Sequence, residues 1–232
     1  MIQITARPSP NYNDRTARVI DMLVLHYTGM ESCEAALARL CDPVAEVSAH
    51  YLIDEDGAVY RLVAEEKRAW HAGVSCWAGA RDINSRSIGI ELVNSGHEHG
   101  YRGFPVLQMQ ALAELCLQIL SRHPIPPQRV LGHSDVAPGR KRDPGELFDW
   151  QWLAGQGVGI WPDQITPDTA LRPDISDLQT NLARFGYEVP QTGIYGVQTR
   201  AVITAFQRHF RPSSVDGVAD AETAAILQQL LT

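Results

Sequence analysis

Val19-Ile20-Asp21-Met22-Leu23-Val24-Leu25-His26-Tyr27-Thr28-Gly29 decides the fold. Up to Leu25 the stretch is apolar but for Asp21. A short, nearly continuous apolar run of this kind reads as a strand buried on both faces, central in a sheet. It delivers His26 at its C-terminal end. That edge of a sheet is where α/β folds place their sites.

Outward from this strand, strands and helices alternate. Residues 1–18 are polar and carry prolines, and read as an arm lying on the domain. A helix is expected from about Ser32 to Leu40, ended by Asp42-Pro43. Ser48 to Ile53 reads as a strand, Asp54 to Gly57 as a hairpin turn, and Ala58 to Val63 as the return strand. Trp70 to Asn84 is loop-like, and Ser87 to Asn94 is another strand. The longest helix follows Pro105, with Leu112, Leu115, Cys116, Ile119 and Leu120 on one face. A short helix around Trp150 closes the unit.

The fold class is therefore α/β, followed by a small three-helix unit. Its helices carry Leu178, Leu182 and Phe185, then Val202, Phe206 and Phe210, then Ala224 and Leu227. The loops Thr192–Gly196 and Asp216–Asp220 resemble each other, which suggests an internal near-repeat. The division expected is 1–163, a linker over 164–173 with repeated prolines, and 174–232.

Composition narrows the function. Twenty basic against 27 acidic residues leave a net charge of -7 in 232 residues, which disfavours nucleic acid as a partner. No apolar run approaches the ~18 residues that a spanning helix needs, so no transmembrane segment is expected. The start shows no basic and then apolar export signal. Cys33, Cys41, Cys76 and Cys116 form no CxxC pair and read as free thiols. The signal reading and the thiols favour a cytoplasmic home, with the periplasm or envelope as the alternative. The sequence sets no oligomeric state.

The chemistry gathers around Gly132-His133-Ser134-Asp135-Val136-Ala137-Pro138-Gly139-Arg140-Lys141-Arg142-Asp143-Pro144-Gly145. The two Pro-Gly pairs mark a surface loop at the end of a strand. His26, His133 and Asp143 make a three-ligand zinc set that leaves a fourth position for water. The alternative for each histidine is a hydrogen-bonded structural role. Glu91 interrupts an apolar strand, and is either a solvent-facing strand end or an acid/base group tuned by burial. Lys141 is either solvated or placed beside the metal to stabilise an oxyanion. His71 is either substrate-binding or packed. His50 reads as a satisfied core histidine, and His97, His99, His123 and His209 as ordinary ones.

Five motifs then stand together in order: His26-Tyr27-Thr28; Ser48-Ala49-His50-Tyr51-Leu52; Trp70-His71-Ala72-Gly73; Asn84 with Ser87 to Leu92; and Gly132-His133-Ser134-Asp135 through Asp143-Pro144-Gly145. From about Arg18 to Pro162 the chain resembles the zinc-dependent N-acetylmuramoyl-L-alanine amidases of the AmpD and AmiD type. The tail resembles the peptidoglycan-binding module often fused to them, through Phe185-Gly186-Tyr187, Gly193 to Gly196, Ala205-Phe206-Gln207 and Asp216-Gly217.

The resemblance implies a mixed central sheet flanked by helices, with zinc on His26, His133 and Asp143. It implies Glu91 as the water-activating base and Lys141 at the oxyanion, with His71 and Asn84 lining the substrate groove. The reaction implied is hydrolysis of the amide between the lactyl group of N-acetylmuramic acid and L-alanine, in muropeptides or peptidoglycan. Three departures stand out. Ala49 occupies a position where wider relatives carry a tyrosine, leaving the base to Glu91. An arginine expected at Asp82 for the stem-peptide carboxylate stands at Arg81 instead. No lipobox cysteine precedes the first domain. Two other readings follow from the same residues: a cell-wall recognition protein without turnover, and a DNA-binding tail through Arg200, Arg208 and His209, which the acidic balance opposes.

Overall fold

The computed structural model describes residues 2–17, 19–163 and 173–232. All of the expected linker but Pro173 lies outside the described residues. The strands in chain order are β1 (Ile4–Ala6), β2 (Tyr12–Asp14), β3 (Met22–Tyr27), β4 (Tyr51–Ile53), β5 (Val59–Arg61), β6 (Lys67–Ala69), β7 (Ser87–Leu92) and β8 (Val130–Gly132). The helices are α1 (Cys33–Cys41), α2 (Ile83–Arg86), α3 (Val106–Arg122), α4 (His133–Val136), α5 (Trp150–Gly155), α6 (Ile175–Phe185), α7 (Val197–Phe210) and α8 (Ala221–Leu230).

Six strands form a mixed sheet in the order β1-β5-β4-β7-β3-β8. β3, the apolar run that ends at His26 and Tyr27, is interior and runs parallel to β7 and β8. Its alternation sorts two layers. Leu23 and Leu25 face α3, where they pack with Leu112, Leu115, Cys116 and Ile119. Met22 and Val24 point the other way, and both are fully buried. Such a side chain contributes about 1.5–3 kcal/mol relative to exposure.

The N-terminal segment is more than an arm lying on the surface. β1 extends the sheet beside β5, and β2 pairs with β6 in a separate ribbon. The Asn11 amide group also donates to the carbonyls of Asp42 and Val47, 2.8 Å each.

The second apolar layer joins the two parts of the chain. Met22, Val24, Trp77, Leu131 and Val136 belong to one cluster with Leu178, Tyr187, Val202 and Phe206 of the C-terminal helices. At the seam, Gly186 has φ +139°, and a Cβ there would lie 2.5 Å from Trp77. Only glycine lets the α6 end close on that ring. Asp135 fastens the same seam: its Oδ2 accepts from His209 Nδ1 and Gly132 N, both at 2.7 Å, and its Oδ1 accepts from Tyr187 Oη at 2.6 Å.

The near-repeat in the tail has a physical cause. Gln179 accepts from the Thr192 and Gly193 amides and donates to Ile194 O and Thr199 Oγ1. Gln207 does the same with the Asp216 and Gly217 amides, Val218 O and Thr223 Oγ1. One buried glutamine thus holds each loop and the start of the next helix.

Glu65 ties the sheet to the end of α3. It accepts from Tyr51 Oη and Arg122 Nη2 at 2.7 Å, and lies 2.6 Å from His123 Nε2. Burial alone would raise its pKa, but the Arg122, Tyr51 and His123 hydrogen bonds outweigh it and hold the carboxyl at about 2. A depressed folded pKa adds stability above the ordinary carboxyl range, and this is lost as pH falls toward 2. Glu65→Gln is therefore expected to cost on the order of 3 kcal/mol at neutral pH. The gap from wild type, read by denaturant melts across pH, should close as the solution is acidified.

Candidate active site

The site is built where three parallel strands end. His26 and Glu91 are register partners on β3 and β7, so their side chains leave the same face of the sheet. β8 pairs with β3 on the other side and hands the chain to His133, the first residue of α4. Ser134 N donates to Asp143 O at 2.9 Å, which folds the loop back and returns Asp143 beside His133.

His26 Nδ1, His133 Nδ1 and Asp143 Oδ2 form a triangle with edges of 2.9, 3.0 and 3.0 Å. All three residues are buried. The other nitrogen of each ring fixes its tautomer. His133 Nε2 lies 3.0 Å from Ala72 O, a group that only accepts, so the proton sits on Nε2 and Nδ1 is bare.

A longer chain does the same for His26. Ser87 Oγ donates to Ile83 O at 2.6 Å, so it accepts from His71 Nε2 at 3.2 Å. His71 Nδ1 is then a lone pair that accepts from His26 Nε2 at 3.0 Å. His26 Nδ1 is left bare. Burial, then the neighbouring His133, lowers His26 to about pKa 4, so the ring is neutral at pH 7.

Two bare nitrogens facing each other beside a carboxylate oxygen repel unless a cation lies among them. The donor set of two imidazoles and one carboxylate suits zinc, with a position left for water or substrate. These residues therefore fit a divalent metal.

Beside the triangle, Glu91 is only partly buried as a residue, yet its Oε2 is buried without a hydrogen-bond partner. Burial and then the Asp143 charge push its carboxyl well above the ordinary value, against the pull of Lys141. Glu91, Lys141, His133 and Asp143 all line one open cleft of about 840 Å³. The Lys141 amide donates to Ala137 O at 3.1 Å, while its ammonium makes no hydrogen bond or ion pair with the described residues.

The other expected site residues are placed differently. His71 reaches the cleft, but both ring nitrogens are engaged by His26 and Ser87. A Cβ at Gly89 would lie 2.4 Å from the His71 ring, so the glycine of β7 makes room for it. Asn84 does not line the cleft. Its Oδ1 accepts from the His71 and Ala72 amides, because a buried side-chain carbonyl is needed where that turn leaves two amides unpaired. Arg81 also lies off the cleft and pairs with Glu188 of the tail. Asp82 is held by Arg68 at 2.8 Å. His50 is the satisfied core histidine expected, taking the Gly89 amide at 3.0 Å and lying 3.1 Å from Lys67 O.

His97 and His209, which read as ordinary in the sequence, and Asp135 and Tyr187, which stand there only within motifs, have particular roles here. His97 lines the cleft, bonded to Tyr27 Oη at 2.9 Å and stacked on Tyr101. The others form the seam described above. The signals the sequence offers are Asp135 two residues after His133 and Tyr187 in the Phe185-Gly186-Tyr187 motif.

With this geometry in view, comparison with known proteins places the chain. The family model described as N-acetylmuramoyl-L-alanine amidase matches residues 16–146, and a peptidoglycan binding domain model matches 172–227. The chain belongs to the N-acetylmuramoyl-L-alanine amidase family, and it is an amide hydrolase.

It is 42% identical to the amidase AmiD of Escherichia coli K12, over 91% of this chain and 82% of that protein. It is also 42% identical to the 1,6-anhydro-N-acetylmuramyl-L-alanine amidase AmpD of Citrobacter freundii, over 62% of this chain and 84% of that one. The structure of Escherichia coli AmiD with anhydro-N-acetylmuramic acid-L-Ala-D-gamma-Glu-L-Lys superposes with TM-score 0.82 and 39% identity, covering 95% of this chain and 97% of that one. AmpDH3 of Pseudomonas aeruginosa superposes with TM-score 0.83 and 38% identity, covering 99% and 98%. The mixed sheet flanked by helices is shared with both. Among the described residues, no helix is long and apolar enough to cross a membrane.

Proposed function

We propose that this chain uses one zinc ion to hydrolyse the amide between N-acetylmuramic acid, including its 1,6-anhydro form, and L-alanine. The observation that carries the reading is the pair of bare Nδ1 atoms with Asp143 Oδ2, set beside the unpartnered Glu91 oxygen in an open cleft. His26, His133 and Asp143 hold the metal. Residues 1–163 act as the catalytic unit and 174–232 as the peptidoglycan-binding unit.

Zinc held by His26, His133 and Asp143 would supply a Lewis acid for the scissile carbonyl and would lower the pKa of a water there toward ~7. Glu91 takes the proton of that water and passes it to the leaving L-alanine nitrogen. A carboxyl held above its usual range by burial is suited to both steps. The Lys141 ammonium steadies the oxyanion that develops on the carbonyl oxygen. Four thiols outside any disulfide favour a cytoplasmic home, with soluble muropeptides as the substrate.

His71 serves as a positioning residue. It accepts the His26 Nε2 proton and so aims Nδ1 at the metal. His71→Leu should lower zinc affinity by about 10- to 100-fold, as loss of outer-shell partners does. Competition against a chromogenic chelator reads this directly, and unchanged affinity would remove the role.

Digestion of 1,6-anhydro-N-acetylmuramyl tripeptide and of intact sacculi, with products read by mass spectrometry, tests the reaction. Free anhydro-sugar plus intact tripeptide is expected from the soluble substrate. Cleavage within the peptide, or none, would overturn the assignment, and release from sacculi would move the site of action to the envelope.

A further inference from the structure

The catalytic cleft is walled by both parts of the chain. Arg140, Lys141 and Arg142 of the metal loop line it together with Arg200, Ala201 and Arg208 of α7. The wall is fixed in place. A Cβ added at Gly139 would meet the Ala201 Cβ at 3.2 Å, so helix and loop touch. His209, the next residue after Arg208, holds the buried Asp135 two positions beyond His133.

The lining holds six lysines and arginines against the carboxylates of Glu91, Glu98 and Asp143, in a chain whose net charge is -7. Arg208 is the least ordinary of these cations. Its side chain is 16% exposed, and its Nε is buried without a hydrogen-bond partner. Its ion pair with Glu146, at 3.8 Å, is longer than a hydrogen bond. Glu146 is shared with His97. Arg142 is close enough to weaken the protonation of Arg208, and itself makes no hydrogen bond or ion pair with the described residues. Of the carboxylates near these two guanidinium groups, Glu146 is shared with His97 and Asp135 is taken up by His209 and Tyr187, which leaves positive charge and unused planar donors at the cleft wall. That is the recognition surface of a carboxylate.

We propose that α7 is a working wall of the catalytic cleft, and that Arg208 with Arg142 beside it forms a subsite for a peptide carboxylate of the substrate. This rests on the amidase reading above. The peptide bound to the Escherichia coli relative contains a γ-linked D-Glu, whose α-carboxylate is free. A group of that kind, one residue beyond the cut, is the ligand of this subsite. The tail then selects stem peptides at the active site in addition to any grip on the wall.

A matched pair of probes tests it: N-acetylmuramyl-L-Ala-D-Glu, and the same compound amidated at the α-carboxylate. The wild type should favour the acid by about 10- to 100-fold in kcat/KM, mainly through KM, as expected for hydrogen bonds to a charged group. Arg208→Gln should erase most of that preference by losing the acid far more than the amide, and Arg208→Lys should restore part of it. Arg142→Gln, on the exposed loop, should shrink the same ratio, and it provides the readout if Arg208→Gln fails to fold.

A purely structural role would depress both probes together and keep the ratio, which would overturn the subsite. So would a wild type that cuts both probes equally. A wild type that cuts neither probe would bring down the amidase reading itself, and the subsite with it.

Discussion

Glu91→Gln is expected to lower turnover by about 10² to 10⁴ while the protein keeps its zinc. The substitution preserves size and leaves β7 intact, since Glu91 sits at a register position opposite His26. It removes the only carboxylate of the cleft floor outside the triangle whose oxygen is buried and unpartnered among the described residues. Glutamine cannot take a proton from water, so the attacking group is no longer prepared at neutral pH. Steady-state turnover measured beside metal content separates this from loss of the site. Full activity in the zinc-loaded variant would remove Glu91 from the chemistry.

Asp143→Ala is expected to have the larger effect on the metal itself. Asp143 supplies the one anionic donor of the triangle and lies 3.0 Å from both bare nitrogens. Without it, two neutral imidazoles remain, and a divalent cation in a buried site loses its charge partner. Zinc affinity should fall by more than the roughly 10- to 100-fold that an outer-shell partner is worth. Because ligands that bind only the folded state stabilise it, the zinc-dependent rise in melting temperature should vanish as well. Calorimetric zinc titration and melts with and without chelator check both. Unchanged zinc content would refute the ligand role.

Much of this was legible in the sequence because the chemistry is carried by residues at strand ends. The apolar run through Leu25 identified the interior strand, and the strand had to end in His26. The Gly-His and Asp-Pro-Gly features bracketed the second half of the site. The helices of the tail were legible from their spacing, and their near-repeat from two similar loops.

What stayed hidden depends on contacts rather than pattern. β1 and β2 are three residues each and exposed, and they exist because sheet neighbours offer free backbone groups. α2 and α4 are single turns without an amphipathic face to read. Asn84 resembled a groove residue, yet it serves the turn that carries His71. The union of the tail with the metal loop through Asp135, Tyr187 and His209 spans separations of 52 and 74 residues, which no local pattern records.

The measurement that tests the central claim most directly is a zinc titration of metal-free protein. The chain would be stripped with a chelator, dialysed, and given zinc stepwise while release of tripeptide from 1,6-anhydro-N-acetylmuramyl tripeptide is followed. Activity should be absent at the start and saturate at one zinc per chain, the stoichiometry set by the single cluster of His26, His133 and Asp143 among the described residues. Undiminished turnover by the metal-free protein would contradict the account.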